Sequence, residues 1–199
     1  MNEIILVLAG GHCQCCIDII ESCSNFKIAG LIDNDISKKI YNYKVIGNDK
    51  SLSDLFNNYK YAFVSIGEYK NPKLREKIFK NLKKLNYKIP VLKSLSAYIS
   101  KKTNINDGTL IMHNAVISTG VDIGYNCIIN SGTVIEHNSE IQDNCNLSPG
   151  VIINGNVKIG KNTFIGSGSI IKEGITIGKN CFIRMGTVLK ENLKENSKI

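Results

Sequence analysis

The sequence predicts an α/β front half followed by an all-β parallel β-helix. Two rhythms carry that expectation. From Ile99 to Leu189 every sixth residue is Ile or Leu, without break or insertion. Over the first ninety residues, apolar strand-like runs alternate with helix-like ones. The change of rhythm falls near 93–98, so residues 1–94 are expected to form one domain and 95–199 a second.

In the front half, "EIILVLAGGH" reads as a buried strand entering a glycine turn, and "CCIDIIESC" as the helix after it. "KIAGLIDND" is a second strand ending in acid, "SLSDLFNN" a short helix and "YAFVSIG" a third strand. "KNPKLREKIFKNLKKLNYK" carries an apolar stripe of Leu74, Ile78, Leu82 and Leu85, with Asn71 as cap and Pro72 in the first turn. A last strand is expected near "IPVLKS". Such alternation predicts a small parallel sheet with Rossmann-like winding.

Each repeat in the second half has an internal grammar. Two residues before each aliphatic, from Ile105 onward, stands a small or β-branched residue such as Thr109, Ala115, Cys127, Ser139 or Val157. Residues two apart on a strand share a face, so both kinds point into one interior. Three residues after each aliphatic comes Gly or Asn, from Gly108 to Gly186, with Lys102 the one departure. Those two residue types best tolerate positive φ, which marks a sharp corner. Short strand, corner, short strand is the pattern of a hexapeptide β-helix.

With three strands to an 18-residue coil, residues 99–188 make about five coils, about 24 Å tall at roughly 4.8 Å each. The outward positions then fall on three faces. Asn104, Asp122, Glu140, Lys158 and Thr176 form a solvent face. Val116, Val134, Ile152, Ile170 and Val188 form an apolar one, and Leu110, Ile128, Asn146, Phe164 and Phe182 a largely apolar one. Outward apolar stripes call for covering, and self-association is the natural cover.

Bulk properties exclude several classes. No stretch approaches transmembrane length, and "IILVLAGG" lacks the basic lead and length of a signal peptide. The expectation is a cytoplasmic protein with no membrane insertion, whose seven cysteines stay reduced. "HCQCC" sits where a helix begins, and neighbours one and two apart point in different directions, which argues against a metal. The net charge of +8 is almost all lysine, with arginine only at 75 and 184. Nucleic-acid readers rely on arginine forks, so the lysine-rich helix reads as a solvated face and no nucleic-acid partner is expected.

"GGH" between strand and helix would aim backbone N–H groups at an anion, and equally serves as a tight structural turn. Asp33 at the end of the second strand fits a hydroxyl acceptor for ribose or sugar, or a loop cap. His137 in "VIEHNSEI" occupies a corner, so its ring projects out of the prism. It fits a general base or a histidine bonded only to backbone. His113 reads as surface. Three histidines do not make a ligand set, which disfavours a zinc-dependent hexapeptide enzyme.

Taken together, "AGGH", "LIDND", "VSIG", the hexapeptides and "IEHNSEI…SPG…GNVKIG" resemble the sugar acyltransferases of bacterial glycan synthesis. That family includes sialic acid O-acetyltransferases and UDP-amino-sugar N-acetyltransferases. The resemblance runs over nearly the whole chain and implies a left-handed β-helix, acetyl-CoA as co-substrate, no metal, and a homotrimer with sites between subunits. It makes Gly10, Gly11, His12, Asp33, Asn34 and Gly67 candidates for binding a sugar or nucleotide-sugar acceptor. It makes His137 the catalytic base and places Gly155 and Ser167 where the pantetheine arm runs. Asn146, half a coil from His137, would meet it across a subunit contact and orient the base or the acetyl carbonyl.

The amino-sugar branch has an acidic residue after the catalytic histidine and a second histidine nine positions on. Here these are Asn138 and Asn146, a pattern closer to the sialic acid branch. Leu95 replaces a typical histidine, and a C-terminal Gly-x-Pro segment is missing. The leading expectation is therefore O-acetylation of a sialic acid-like sugar. N-acetylation of a nucleotide-linked amino sugar and a non-enzymatic trimeric scaffold are the alternatives.

Overall fold

The computed structural model describes residues 1–23, 25–67 and 72–199, so the expected cap at Asn71 lies outside the described residues. The chain divides into two compact units, Met1–Leu92 and Lys93–Ile199.

In the first unit, β1 (Asn2–Val7), β2 (Phe26–Ile32) and β5 (Tyr61–Val64) are parallel, with β1 central. Ile4, Ile5, Leu6 and Val7 are all fully buried, as a central parallel strand requires. Helix α1 (Gly11–Cys23) buries Cys13, Cys16, Ile17, Ile19 and Ile20. A hairpin of β3 (Lys39–Ile40) and β4 (Tyr43–Gly47) adds an antiparallel edge, giving the order β3-β4-β2-β1-β5. The sheet is therefore mixed rather than all parallel: β4 runs parallel to β2, and β3 pairs antiparallel with β4 at the edge.

Helix α2 (Leu52–Leu55) precedes β5, and helix α3 (Pro72–Lys84) follows it. Its buried stripe contains Ile78 and Leu82, and adds Phe79 and Arg75. Arg75, read as part of a solvated lysine-rich face, is instead only 5% exposed. Its guanidinium donates to the carbonyls of Val64 and Ile66 (2.6 and 2.7 Å) at the end of β5. A backbone edge that runs out of strand partners draws the cation inward. No described helix is long and apolar enough to cross a membrane.

The strand expected near residue 90 does not complete the front sheet. Only Lys88 bridges to Tyr61 there, and Pro90 lacks the N–H to continue. Leu92–Lys93 (β6) is instead the first rung of the β-helix, where Ser94 N–H donates to Ile111 O.

The second unit is a left-handed parallel β-helix. Its two-residue strands, β6 to β22 (Val188–Leu189), stack into three sheets of six, five and six. Register is constant: Ile117 pairs with Ile135, Ile135 with Ile153, and Ile153 with Ile171. These aliphatics are buried together with Ala115, Cys127, Val151 and Val157 in one core. Every corner residue from Gly108 to Gly186 that the repeat assigns to Gly or Asn has positive φ, between 55° and 75°. Lys102 is absent from that set, as a lysine's Cβ favours. The coil continues past Leu189, where Leu193 bridges to Ile177 and Lys198 to Phe182.

The outward faces differ from expectation at one point. Leu110 and Ile128 are 0% and 1% exposed within the chain itself, so that end of their stripe calls for no partner. Phe164 and Phe182, further along the same face, stack with ring centroids 4.9 Å apart. The other stripe stays open: Tyr98, Val116, Ile170 and Val188 are all exposed.

Candidate active site

His137 stands two residues after Ile135, on the corner that leads from the Val116 face to the Asn104 face. Its ring is exposed, and its backbone carbonyl accepts from Asn156 N–H at 2.9 Å. Eighteen residues on, one coil along, lies Gly155. A Cβ placed on Gly155 would sit 2.6 Å from Cε1 and 2.7 Å from Nε2 of His137. The imidazole therefore rests on bare backbone, and Gly155, expected along a pantetheine arm, is the seat of the ring. The side-chain nitrogen of Asn138 lies 3.3 Å from His137 Nδ1.

Asn146 is on the Leu110 face, in register with Ile128 and Phe164. Its Oδ1 accepts from Asn130 Nδ2 at 3.1 Å, and Asn130 also donates to Leu147 O. Ser167 is exposed on a different corner, between the Leu110 and Val116 faces. A single chain thus places His137 and Ser167 on two different corners of the prism and Asn146 on the face opposite His137's corner. A groove of about 390 Å³ does adjoin Gly155. Asn154, Ile170, Lys172, Glu173, Val188 and Lys190 line it.

His113 is not a free surface group. It is half-buried, with Nδ1 2.8 Å from the hydroxyl of buried Ser94, which in turn lies 3.0 Å from the Ser96 hydroxyl. Nothing in the repeat marks this pair, because Ser94 precedes the aliphatic rhythm.

In the first unit, the turn after β1 opens with Leu8 at φ 77°, a left-handed conformation unusual for leucine. The Ser65 hydroxyl bonds to the carbonyls of Val7 and Leu8 (2.9 and 2.7 Å), anchoring the strained turn. Gly10 and Gly11 face open space at ordinary φ, so neither a clash nor a special dihedral demands glycine there. Gly67 is different: a Cβ on it would lie 2.7 Å from Cγ of His12. The Nε2 atom of His12 is buried without a partner among the described residues. Burial, and then the Arg75 charge, push its pKa down to about 4, so the ring is neutral at physiological pH. Burial likewise raises the Cys13 thiol to about 11, and Cys16 is pushed up further for the same reason. Those thiols are protonated, and among the described residues no group of three or more His, Cys, Asp or Glu is placed to hold a metal.

Asp33 is buried and already engaged. Oδ2 accepts from Ala9 N–H at 2.9 Å, Oδ1 from Asp35 N–H at 3.0 Å, and Lys38 Nζ reaches both oxygens. The carboxylate clamps the turn that carries Gly10 and Gly11, while Asn34 beside it is exposed. Burial alone would raise its pKa, but the two N–H donors and Lys38 outweigh that and hold it below the usual range. A depressed folded pKa stabilises the fold above the unfolded value and ceases to do so as pH falls through the folded one. Asp33→Ala, which strands the Ala9 N–H, is expected to cost about 1–3 kcal/mol at neutral pH. Urea unfolding of both proteins should show that gap closing in acid, below about pH 4.

The chain matches three family descriptions. Residues 3–82 match the PglD N-terminal domain. Residues 103–137 and 156–191 match the hexapeptide repeat of succinyl-transferase, and 138–172 the bacterial transferase hexapeptide. No curated protein sequence matches it. Among solved structures it is similar to a histidine-to-asparagine mutant of perosamine N-acetyltransferase from Caulobacter crescentus, in complex with CoA and GDP-perosamine. That likeness has 25% identity and a TM-score of 0.94, over 100% of this chain and 93% of that one. The acetyltransferase domain of PglB from Neisseria gonorrhoeae, in complex with acetyl coenzyme A, shares the fold at 24% identity and TM-score 0.93, over 100% and 96%. WeeI from Acinetobacter baumannii does so at 21% and 0.88, again over 100% and 96%. In that order along one sequence, the front unit matches the PglD N-terminal domain and the coils match bacterial transferase hexapeptide repeats.

Proposed function

We propose that the protein transfers an acetyl group from acetyl-CoA to the amine of a nucleotide-linked amino sugar, with His137 as general base. The observation that carries this reading is the full-length likeness to an enzyme that binds CoA and GDP-perosamine, an amine-bearing nucleotide sugar. It favours N-acetylation over O-acetylation of a sialic acid-like sugar, which Asn138 and Asn146 had put first.

In the reaction, the sugar amine attacks the thioester carbonyl, a C–N bond forms and the C–S bond breaks. His137 takes the amine proton and returns it to the departing thiolate, so the histidine ends as it began. An exposed corner imidazole on a glycine seat suits that exchange, since no side chain screens it on the seat side. Lys172 and Lys190, in the groove adjoining Gly155, suit the phosphates of the donor, and Ile170 and Val188 suit its apolar parts. The turn of Gly10, Gly11 and His12, with Asp33, Asn34 and Gly67, is the acceptor-binding part of the front unit. Asp33 serves there by fixing the turn rather than by offering a free oxygen.

Asn146 and Ser167 reach a site with His137 only when another copy of the chain supplies them. The open stripe of Tyr98, Val116, Ile170 and Val188 is the surface such a homotrimer would cover. Incubation with acetyl-CoA and a GDP- or UDP-linked amino sugar should release CoA and yield one amide per turnover, stable to mild base. A base-labile ester on free sialic acid, with no reaction at the amine, would reverse the assignment. A protein that neither binds acetyl-CoA nor releases CoA with any sugar tested would favour a scaffold.

A further inference from the structure

The contact between Asn138 and His137 bears on which ring nitrogen carries the proton. Asn138 sits at a corner with φ 58°. Corner asparagines elsewhere bond along the coil axis: Asn126 Nδ2 donates to Asn144 Oδ1 (2.8 Å), Asn162 to Asn180 (3.3 Å) and Asn180 to Asn196 (3.1 Å). Asn138 has glycine one coil before it. Its Oδ1 lies 2.5 Å from where a Cβ on Gly120 would stand, and its Nδ2 turns sideways to His137 Nδ1. An amide nitrogen donates and has no lone pair to offer, so Nδ1 is the acceptor in this contact. In a neutral ring the proton then resides on Nε2.

We propose that Asn138 is a positioning residue that keeps the resting imidazole of His137 in its Nε2–H form. In that state neither nitrogen is a free base, since Nδ1 is occupied by the amide and Nε2 holds the proton. Accepting a proton at Nε2 requires that Nε2 first give its own to water while Nδ1 takes one up, with no net change in charge. The Asn138 amide must then turn over to present Oδ1 to the new Nδ1–H. The residue next to His137 therefore sets how much of the enzyme is ready to react. The effect on turnover rests on the reading of His137 as base; the tautomer does not.

Two substitutions tolerate the left-handed corner: Asn138→Asp offers only acceptors, and Asn138→Gly offers nothing. In ¹⁵N-labelled protein in alkaline buffer, with the His137 signals assigned by their loss in His137→Gln, the wild type should show a protonated Nε2. Asn138→Asp should exchange the pattern to Nδ1–H, and Asn138→Gly should show a mixture. Turnover with acetyl-CoA and the amino-sugar acceptor should rise roughly three- to tenfold in kcat for Asn138→Asp with KM unchanged, the worth of one hydrogen bond. A wild-type ring already protonated at Nδ1, or an Asn138→Asp ring still protonated at Nε2, overturns the proposal. If the tautomer exchanges as stated while His137→Gln keeps full activity, the tautomer assignment stands and the general-base reading falls.

Discussion

Replacing His137 with alanine is expected to lower kcat/KM about 10²- to 10⁴-fold, the usual contribution of a positioned acid–base group. The fold should hardly notice, because the ring is exposed and the bond that ties residue 137 to the next coil is made by its backbone carbonyl, which accepts from Asn156 N–H. The thermal midpoint should stay within about 2 °C of wild type, as for most surface substitutions. Gly155→Ala sharpens the test from the other side. Its φ lies outside the left-handed region, so alanine is accepted by the backbone, yet the new methyl occupies the space of Cε1 and Nε2. The ring must swing away, and a displacement of about 1 Å at a catalytic group is enough to cost roughly 100-fold. Both variants are measured by steady-state kinetics beside thermal unfolding. A His137→Ala protein of unchanged kcat/KM would remove this residue from the chemistry altogether.

The largest effect on stability is expected at Ile135, two residues before the same corner. It is fully buried, and lies in register between Ile117 and Ile153 in the prism. Ile135→Ala removes buried methyl and methylene groups and leaves a gap that a stack of constant register closes poorly, because its rungs cannot slide singly. A loss of about 2–5 kcal/mol follows, or a drop of about 5–15 °C in midpoint for a chain of this size. Val134→Ala, one position away but facing out, should cost under about 1 kcal/mol in an isolated chain. It should cost more only where a second copy covers it. Calorimetry of the two variants at several concentrations reads both points. Equal losses at 134 and 135 in dilute protein would mean that the inward and outward assignments are misplaced.

Much of this was legible in the sequence. The Ile and Leu of the repeat line the core, and Gly and Asn at the corners have positive φ while Lys102 does not. What escaped was whatever breaks the period. The β3–β4 hairpin has no repeat to announce it, and Leu92–Lys93 joins the first rung although lysine fills the aliphatic slot. Arg75 looked like one more surface cation until the carbonyls at the end of β5 drew it in. Asp33 has the position of a hydroxyl acceptor, but two backbone N–H groups and Lys38 already take its oxygens.

The sequence by itself determined the β-helix, its three faces and the outward direction of His137. A fixed six-residue period leaves each side chain only one direction to point. Only the tertiary structure decided what each outward group touches. It put the His137 ring on Gly155, turned Asn138 toward Nδ1 and drew Ser94 to His113. Those contacts depend on side-chain rotation and on what stands a coil away, and a one-dimensional rhythm fixes the second without the first.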